Sequence, residues 1–122
     1  MKTALVIGAS RGIGKAIAER LAHDGFDIVG TCRSNPERFQ ELKQKIAELG
    51  RSFHALAFDI ADRKAAEETL LGHFGDGAPD VLVYNAGIND DDLFAMMTPE
   101  QWDRVLHTNA DGFFNCVHPL LM

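Results

Sequence analysis

Gly8, Gly12 and Gly14 stand in the run Gly8-Ala-Ser-Arg-Gly12-Ile-Gly14, directly after the apolar stretch 3–7 and directly before Lys15-Ala-Ile-Ala-Glu-Arg-Leu. A turn this rich in glycine folds tightly and lets a ligand approach its peptide groups with no Cβ in the way. Where it opens a helix, unpaired N–H groups and the positive end of the helix dipole face the same point. That chemistry is anion binding, and a strand–turn–helix setting makes the anion the diphosphate of a dinucleotide. The spacing G-x-x-x-G-x-G differs from the more general G-x-G-x-x-G. It also excludes a P-loop, which needs four residues between its glycines and then Lys followed by Ser or Thr. Here five residues separate Gly8 from Gly14, and Ala16 follows Lys15.

Further polar residues fall where such a fold brings strands to its ligand. The second strand ends Thr31-Cys32-Arg33-Ser34, with no carboxylate in it. An acid at this place bonds the ribose 2′-hydroxyl of NAD, whereas an arginine accommodates the 2′-phosphate of NADP. Arg33, with Arg11 inside the glycine turn, therefore predicts NADP(H). Asp59 ends the third strand, and Asn85-Ala86-Gly87 ends the fourth; the small residues let that loop pass close under the cofactor. Asn109 is polar on what reads as an apolar helix face, so it must have hydrogen-bond partners. Asp90-Asp91-Asp92 has no calcium-loop spacing and reads as a solvated loop. The histidines at 23, 54, 73, 107 and 118 show no metal-ligand spacing, and no metal is expected.

The elements that must position these residues alternate between strand and helix, which predicts a doubly wound α/β fold with a parallel sheet. Strands are expected at 3–7, 27–31, 52–58 and 81–84. The first helix runs from Ile13 to about Gly25, with Ile13, Ile17 and Leu21 forming its inward stripe. Asn35-Pro36 starts a second helix that buries Phe39, Leu42, Ile46 and Leu49. Asp62 caps a third, with Ala66, Leu70, Leu71 and Phe74 inward. A last helix begins at Thr98-Pro99-Glu100-Gln101 and carries one apolar face, from Trp102 through Phe113 and Cys116 to Leu120, with no C-cap before Met122. The reading is a single dinucleotide-binding domain over 1–122 that stops before a substrate-binding and catalytic half.

The chain has 122 residues, enough for one modest domain. Its net charge of −6 offers no basic stripe for nucleic acid. No apolar run reaches the ~20 residues of a membrane span. Cys32 and Cys116 form no C-x-x-C pair, which suits a reducing, cytoplasmic setting.

The run Gly8–Gly14 resembles the classical short-chain dehydrogenase/reductase family, whose turn usually reads Thr-Gly-x-x-x-Gly-Ile-Gly; Ile7 stands in place of the threonine. Asn85-Ala86-Gly87 is similar to the last three residues of the family's Asn-Asn-Ala-Gly, with Tyr84 in place of the first asparagine. Those two departures fall on a pair of loops that the family ties together by hydrogen bonding, and Ile7 cannot make that tie. The resemblance implies a Rossmann-type sheet, here its first half in the order 3-2-1-4. It places the cofactor against Gly8, Ser10, Arg11, Gly12, Ile13 and Gly14, with Arg33 and Ser34 at the adenosine ribose. Asp59 and the following N–H of Ile60 would hold the adenine, and Asn85, Ala86 and Gly87 would lie beneath the cofactor.

By the same resemblance, Asn109, in His107-Thr108-Asn109, supports a water-linked proton relay. The family's acid is the tyrosine of Tyr-x-x-x-Lys, but the only tyrosine here, Tyr84, has Ile88 four residues on. The serines at 10, 34 and 52 all fall on the nucleotide side. The runs Gly-Ala-Ser-Arg-Gly-Ile-Gly, Arg33-Ser-Asn and Asn85-Ala-Gly-Ile look most like the 3-oxoacyl-acyl-carrier-protein reductase branch, which works in fatty acid biosynthesis. The implied substrate is a small molecule or an acyl group on a carrier, and the implied assembly is a homo-oligomer, usually a tetramer or dimer. A reductase of another small ketone, sugar or steroid is the alternative enzyme, and a non-catalytic dinucleotide-binding module the alternative class.

Overall fold

Apolar residues fill the strands on both sides, as expected for a sheet covered by helices on each face. The computed structural model describes residues 2–9, 12–33, 36–75, 77–85, 98–106 and 110–121, without the side chains at 38, 105 and 106. Its elements are β1 (Thr3–Ile7), α1 (Gly12–His23), β2 (Asp27–Cys32), a 3₁₀ turn (Pro36–Phe39) running into α2 (Gln40–Glu48), β3 (Phe53–Ala57), α3 (Arg63–Phe74), β4 (Val81–Tyr84), α4 (Pro99–Leu106) and α5 (Gly112–Leu121). The four strands are parallel in the order β3-β2-β1-β4. This is the doubly wound, Rossmann-type arrangement that the alternation of elements predicts.

Strand residues alternate between two cores. Ala4, Val6 and Ile28 face Ala18 and Ala22 of α1 and Leu42 and Ile46 of α2. Leu5, Ile7 and Val29 face Ala66 and Leu70 of α3 and Cys116 of α5. Burying a leucine or isoleucine of this kind is worth about 1.5–3 kcal/mol. Register is pinned at the strand starts by carboxylates: Asp80 accepts from the Thr3 N–H at 2.8 Å, and Asp27 from the Ser52 N–H at 2.9 Å. That bond from Ser52 holds the Asp27 carboxyl below its usual range.

Several helix faces differ from the spacing-based expectation. In α1 the buried stripe is Gly14, Ala18 and Ala22, and Ile13 is 70% exposed. Small residues let α1 lie close to the sheet; of the expected stripe, Leu21 packs half-buried against the same core, Ile17 is half-buried and Ile13 turns outward. Leu49 and Leu71 are exposed, while Phe39, Leu42, Ile46, Ala66 and Leu70 are buried as expected. The second helix opens as a 3₁₀ turn at Pro36 and becomes α-helical at Gln40; its expected cap, Asn35, lies outside the described residues. Asp62 caps α3, accepting from the Ala65 N–H at 3.1 Å. Thr98 and Gln101 form the reciprocal cap of α4, Gln101 N–H to Thr98 Oγ1 at 3.1 Å and Thr98 N–H to Gln101 Oε1 at 2.8 Å.

The expected last helix is described over Pro99–Leu106 and Gly112–Leu121, and residues 107–109 lie outside the described residues. The expected apolar face is unevenly buried in these two segments. Gly112, Asn115 and Cys116 are buried in α5, whereas Trp102 and Phe113 are about half exposed, 49% and 51%. Among the described residues no helix is long and apolar enough to cross a membrane.

Candidate dinucleotide site at the carboxyl ends of the strands

The glycine turn joins the carboxyl end of β1 to the start of α1. Gly8 and Gly12 have φ of 83° and 63°, the left-handed region that side-chain-bearing residues rarely adopt. A Cβ on Gly12 would meet nothing, so the turn opens there to solvent; a Cβ on Gly14 would collide with the Gly8 carbonyl oxygen. The turn is thus closed on its protein side and open on the other. Its peptide groups can be reached by an anion at the start of α1, so these residues fit a diphosphate.

Thr31 of β2 holds the turn in place. Its hydroxyl accepts from the Gly8 N–H at 3.2 Å and its carbonyl from the Ala9 N–H at 3.1 Å. Thr31 is buried. A lone hydroxyl inside an apolar strand next to a glycine turn was the signal for it, and sequence reading passed it over.

The expected tie between residues 7 and 84 is remade in another form. Ile7 and Tyr84 are register partners across β1 and β4 and share one apolar cluster with Phe58 and Cys116. The Asn85 N–H donates to the Ile7 carbonyl at 2.9 Å. The Tyr84 ring meets Phe113 edge-on at 5.3 Å, and its hydroxyl oxygen would lie 2.7 Å from a Cβ at Gly112. Burial, with Cys116 nearby, pushes the Tyr84 phenol up to about 12, and burial pushes the Cys116 thiol up to about 12. Both groups stay protonated at neutral pH. An acid meant to give up its proton near neutrality needs the opposite shift.

Four other candidate residues lie along this edge. The Asn85 side-chain amide lies at the mouth of α1, its Nδ2 3.0 Å from where a Cβ at Gly14 would sit. Arg33, just past β2, is 76% exposed and its guanidinium is 3.7 Å from Asp59 Oδ2, just past β3. Asp59 Oδ1 accepts from the Ala61 N–H at 2.9 Å, and the Asp59 carbonyl from the Asp62 N–H at 2.9 Å. The half-buried Ile60 packs beside Tyr84 and would crowd any Cβ at Gly112. Ser10, Arg11, Ser34, Ala86, Gly87 and Asn109 lie outside the described residues, as do Asp90-Asp91-Asp92.

The buried amide that the structure does describe is Asn115, 1% exposed, which sequence reading missed. It donates from Nδ2 to the Ile60 carbonyl at 2.9 Å and accepts at Oδ1 from Arg63 Nε at 3.0 Å. Its signal was the polar residue in Phe113-Phe114-Asn115-Cys116-Val117. No group of three or more His, Cys, Asp or Glu among the described residues could hold a metal ion.

The sequence and its sheet of order β3-β2-β1-β4 are similar to those of known proteins. The chain is 48% identical to the 3-oxoacyl-acyl-carrier-protein reductase FabG of Aggregatibacter actinomycetemcomitans over 122 residues, 99% of this chain and 50% of that protein. It is 38% identical to an acetoacetyl-CoA reductase of Shinella zoogloeoides over 120 residues, 98% of this chain and 48% of that protein. A solved variant of a Serratia marcescens short-chain dehydrogenase/reductase superposes with a TM-score of 0.87 at 30% identity, over 98% of this chain and 49% of that one. The chain thus spans about half the length of the relatives it matches. The sequence model described as short chain dehydrogenase matches residues 2–122, and by that match, its relatives and its sheet the chain belongs to the short-chain dehydrogenase family.

Proposed function

We propose that this chain is the cofactor-binding half of an NADP(H)-dependent oxidoreductase, one that reduces a 3-oxoacyl thioester. The observation that carries the cofactor choice is Arg33. It stands exposed at the carboxyl end of β2 and pairs with Asp59, 3.7 Å away at the end of β3. The strand end supplies no acid of its own for a ribose 2′-hydroxyl. A 2′-phosphate carries more charge than Asp59 and competes with it for the guanidinium fork.

NADPH, when bound, supplies the hydride. The peptide groups of Gly8, Gly12 and Gly14, with Ser10, Arg11 and Ile13 in the same turn, take the diphosphate at the start of α1. Arg33 and Ser34 take the ribose phosphate. Asp59 and the Ile60 N–H take the adenine, and Asn85, Ala86 and Gly87 pass beneath the cofactor. Asn109 holds a water in the proton relay.

The substrate class rests on the names of the two relatives, both reductases of 3-oxoacyl thioesters. The family's Tyr-x-x-x-Lys has no match in these 122 residues, where Tyr84 is followed four residues on by Ile88. Cys32 and Cys116, which have no C-x-x-C spacing, support a cytoplasmic setting. Half-exposed Trp102, Phe113 and Phe114 support a homo-oligomer.

The test is titration of the protein that carries this chain with NADPH and NADH, with and without Arg33→Asp. Loss of a charge-assisted contact weakens NADPH by roughly 10–100-fold, while NADH changes little. Equal loss for both cofactors would refute the reading.

A further inference from the structure

Asn115 is the one polar side chain of α5 buried in the sheet-facing core among the described residues, and both ends of its amide are used. Nδ2 donates to the Ile60 carbonyl at 2.9 Å, and Oδ1 accepts from Arg63 Nε at 3.0 Å. The same Ile60–Ala61 peptide group is held at its other end, since the Ala61 N–H donates to Asp59 Oδ1 at 2.9 Å. A peptide gripped at both its carbonyl and its N–H cannot rotate without breaking two hydrogen bonds. The grip fixes the Asp59 carboxylate, because Oδ1 is committed to Ala61 and only Oδ2 is left toward Arg33, 3.7 Å away. A continuous set of contacts therefore runs from a helix on one face of the sheet to the ends of β3 and β2.

We propose that Asn115 is a positioning residue for the adenosine half of the dinucleotide site. It holds the 60–61 peptide so that the Asp59 carboxylate and the Ile60 backbone keep the orientation the adenine requires. This rests on the preceding reading that Asp59 and Ile60 meet the adenine. Without the amide, the Ile60 carbonyl loses its buried donor and the peptide turns toward another. Asp59 is then free to swing both oxygens onto Arg33. Adenosine binding loses the carboxylate, and the arginine loses its freedom to meet a phosphate. Arg63 completes the device by holding the amide the right way round: a guanidinium can only donate, so Oδ1 must face it and Nδ2 must face Ile60.

The experiment uses the protein that carries this chain and two probes: ADP for the adenosine half and reduced nicotinamide mononucleotide for the other half. Asn115→Leu removes both bonds while keeping the same branched outline of four heavy atoms. Asn115→Asp keeps the shape and the Arg63 contact but turns an acceptor against the Ile60 carbonyl, so it serves if the leucine variant does not fold. Well below the melting temperature, each folded variant is expected to bind ADP roughly tenfold more weakly, with the mononucleotide unchanged. A purely structural tie would lower the melting temperature without separating the two probes. ADP affinity equal to that of the unsubstituted protein, or equal loss for both probes, would overturn the proposal. Failure of the unsubstituted protein to bind ADP would overturn the adenine reading of Asp59 and Ile60 and this proposal with it.

Discussion

Alanine placed at three glycines separates what each of them does. Gly14 lies in the first turn of α1, and its missing Cβ is what lets the helix sit on the Gly8 carbonyl. A methyl group there gains about 1 kcal/mol of helix propensity. Against that stands overpacking, typically about 1–3 kcal/mol. The obstacle here is a backbone oxygen with the Asn85 amide behind it at 3.0 Å, so no flexible side-chain end can yield. The upper end of the range applies, leaving a net loss of about 2 kcal/mol. Relief requires the start of α1 to move away from the sheet, which carries its N–H groups off the diphosphate. A misplacement of about 1 Å costs on the order of 100-fold in function.

Gly12→Ala meets no atom within 4 Å but must hold φ at 63°, which costs about 1–2 kcal/mol with no collision. Gly72, inside α3 and exposed, has no neighbour within 4 Å and an ordinary φ, so Gly72→Ala stabilises by about 0.5–1 kcal/mol. Urea unfolding of the protein that carries this chain gives the three stabilities, and titration with NADPH gives the affinities. The expected order of stability is Gly72→Ala, unsubstituted, Gly12→Ala, Gly14→Ala, with NADPH affinity lost most at Gly14. A Gly14→Ala protein with an unchanged urea midpoint would refute the close packing of turn and helix.

The remaining predictions concern pH and turnover. Burial holds His73 below its ordinary value of 6.5, and His54, with its ring 5.3 Å away, adds to the effect. The unfolded chain therefore takes up the proton first as pH falls. The contribution is complete above 6.5 and is lost as pH drops toward the lower folded value, so the urea midpoint should decline from pH 7.5 to 5.5, and less steeply in His73→Asn. The effect is modest because the ring is largely exposed, and the same decline in both proteins would refute it. Asn109→Ala should lower kcat while leaving NADPH affinity nearly unchanged. A folded variant with unchanged kcat would show that the residue has no part in the relay.

Much of this architecture is legible from local signals. Strands of apolar residues bounded by Gly25, Gly50 and Pro79 mark the sheet, and Asp62 and Thr98 mark helix starts through caps that the structure contains. The glycine spacing and Arg33 point to one ligand edge, and Arg33, Asp59 and Asn85 do lie along it. Which side of a helix is buried is less legible. In α1, Gly14, Ala18 and Ala22 outrank the larger Ile13 because close approach to the sheet favours small residues. Periodicity also misjudges burial toward the end of the chain, where Asn115 is buried while Trp102 and Phe113 are about half exposed. Thr31 and Asn115 stay hidden for a different reason: their importance comes from partners 23 and 55 positions away, which no spacing along the chain displays.

Ile7 and Tyr84 are register partners across β1 and β4, the two positions at which the family pattern this chain resembles has a threonine and an asparagine. Either pair is self-consistent, one polar and hydrogen-bonded, the other apolar and packed. A mixed pair is neither: threonine beside Tyr84 puts a hydroxyl into the cluster around Phe58 and Cys116, and asparagine beside Ile7 buries an amide there. The two states are thus separated by a costly single step. Sequence drift at this edge should proceed in paired jumps. A double substitution, Ile7→Thr with Tyr84→Asn, should be better tolerated than the sum of its halves.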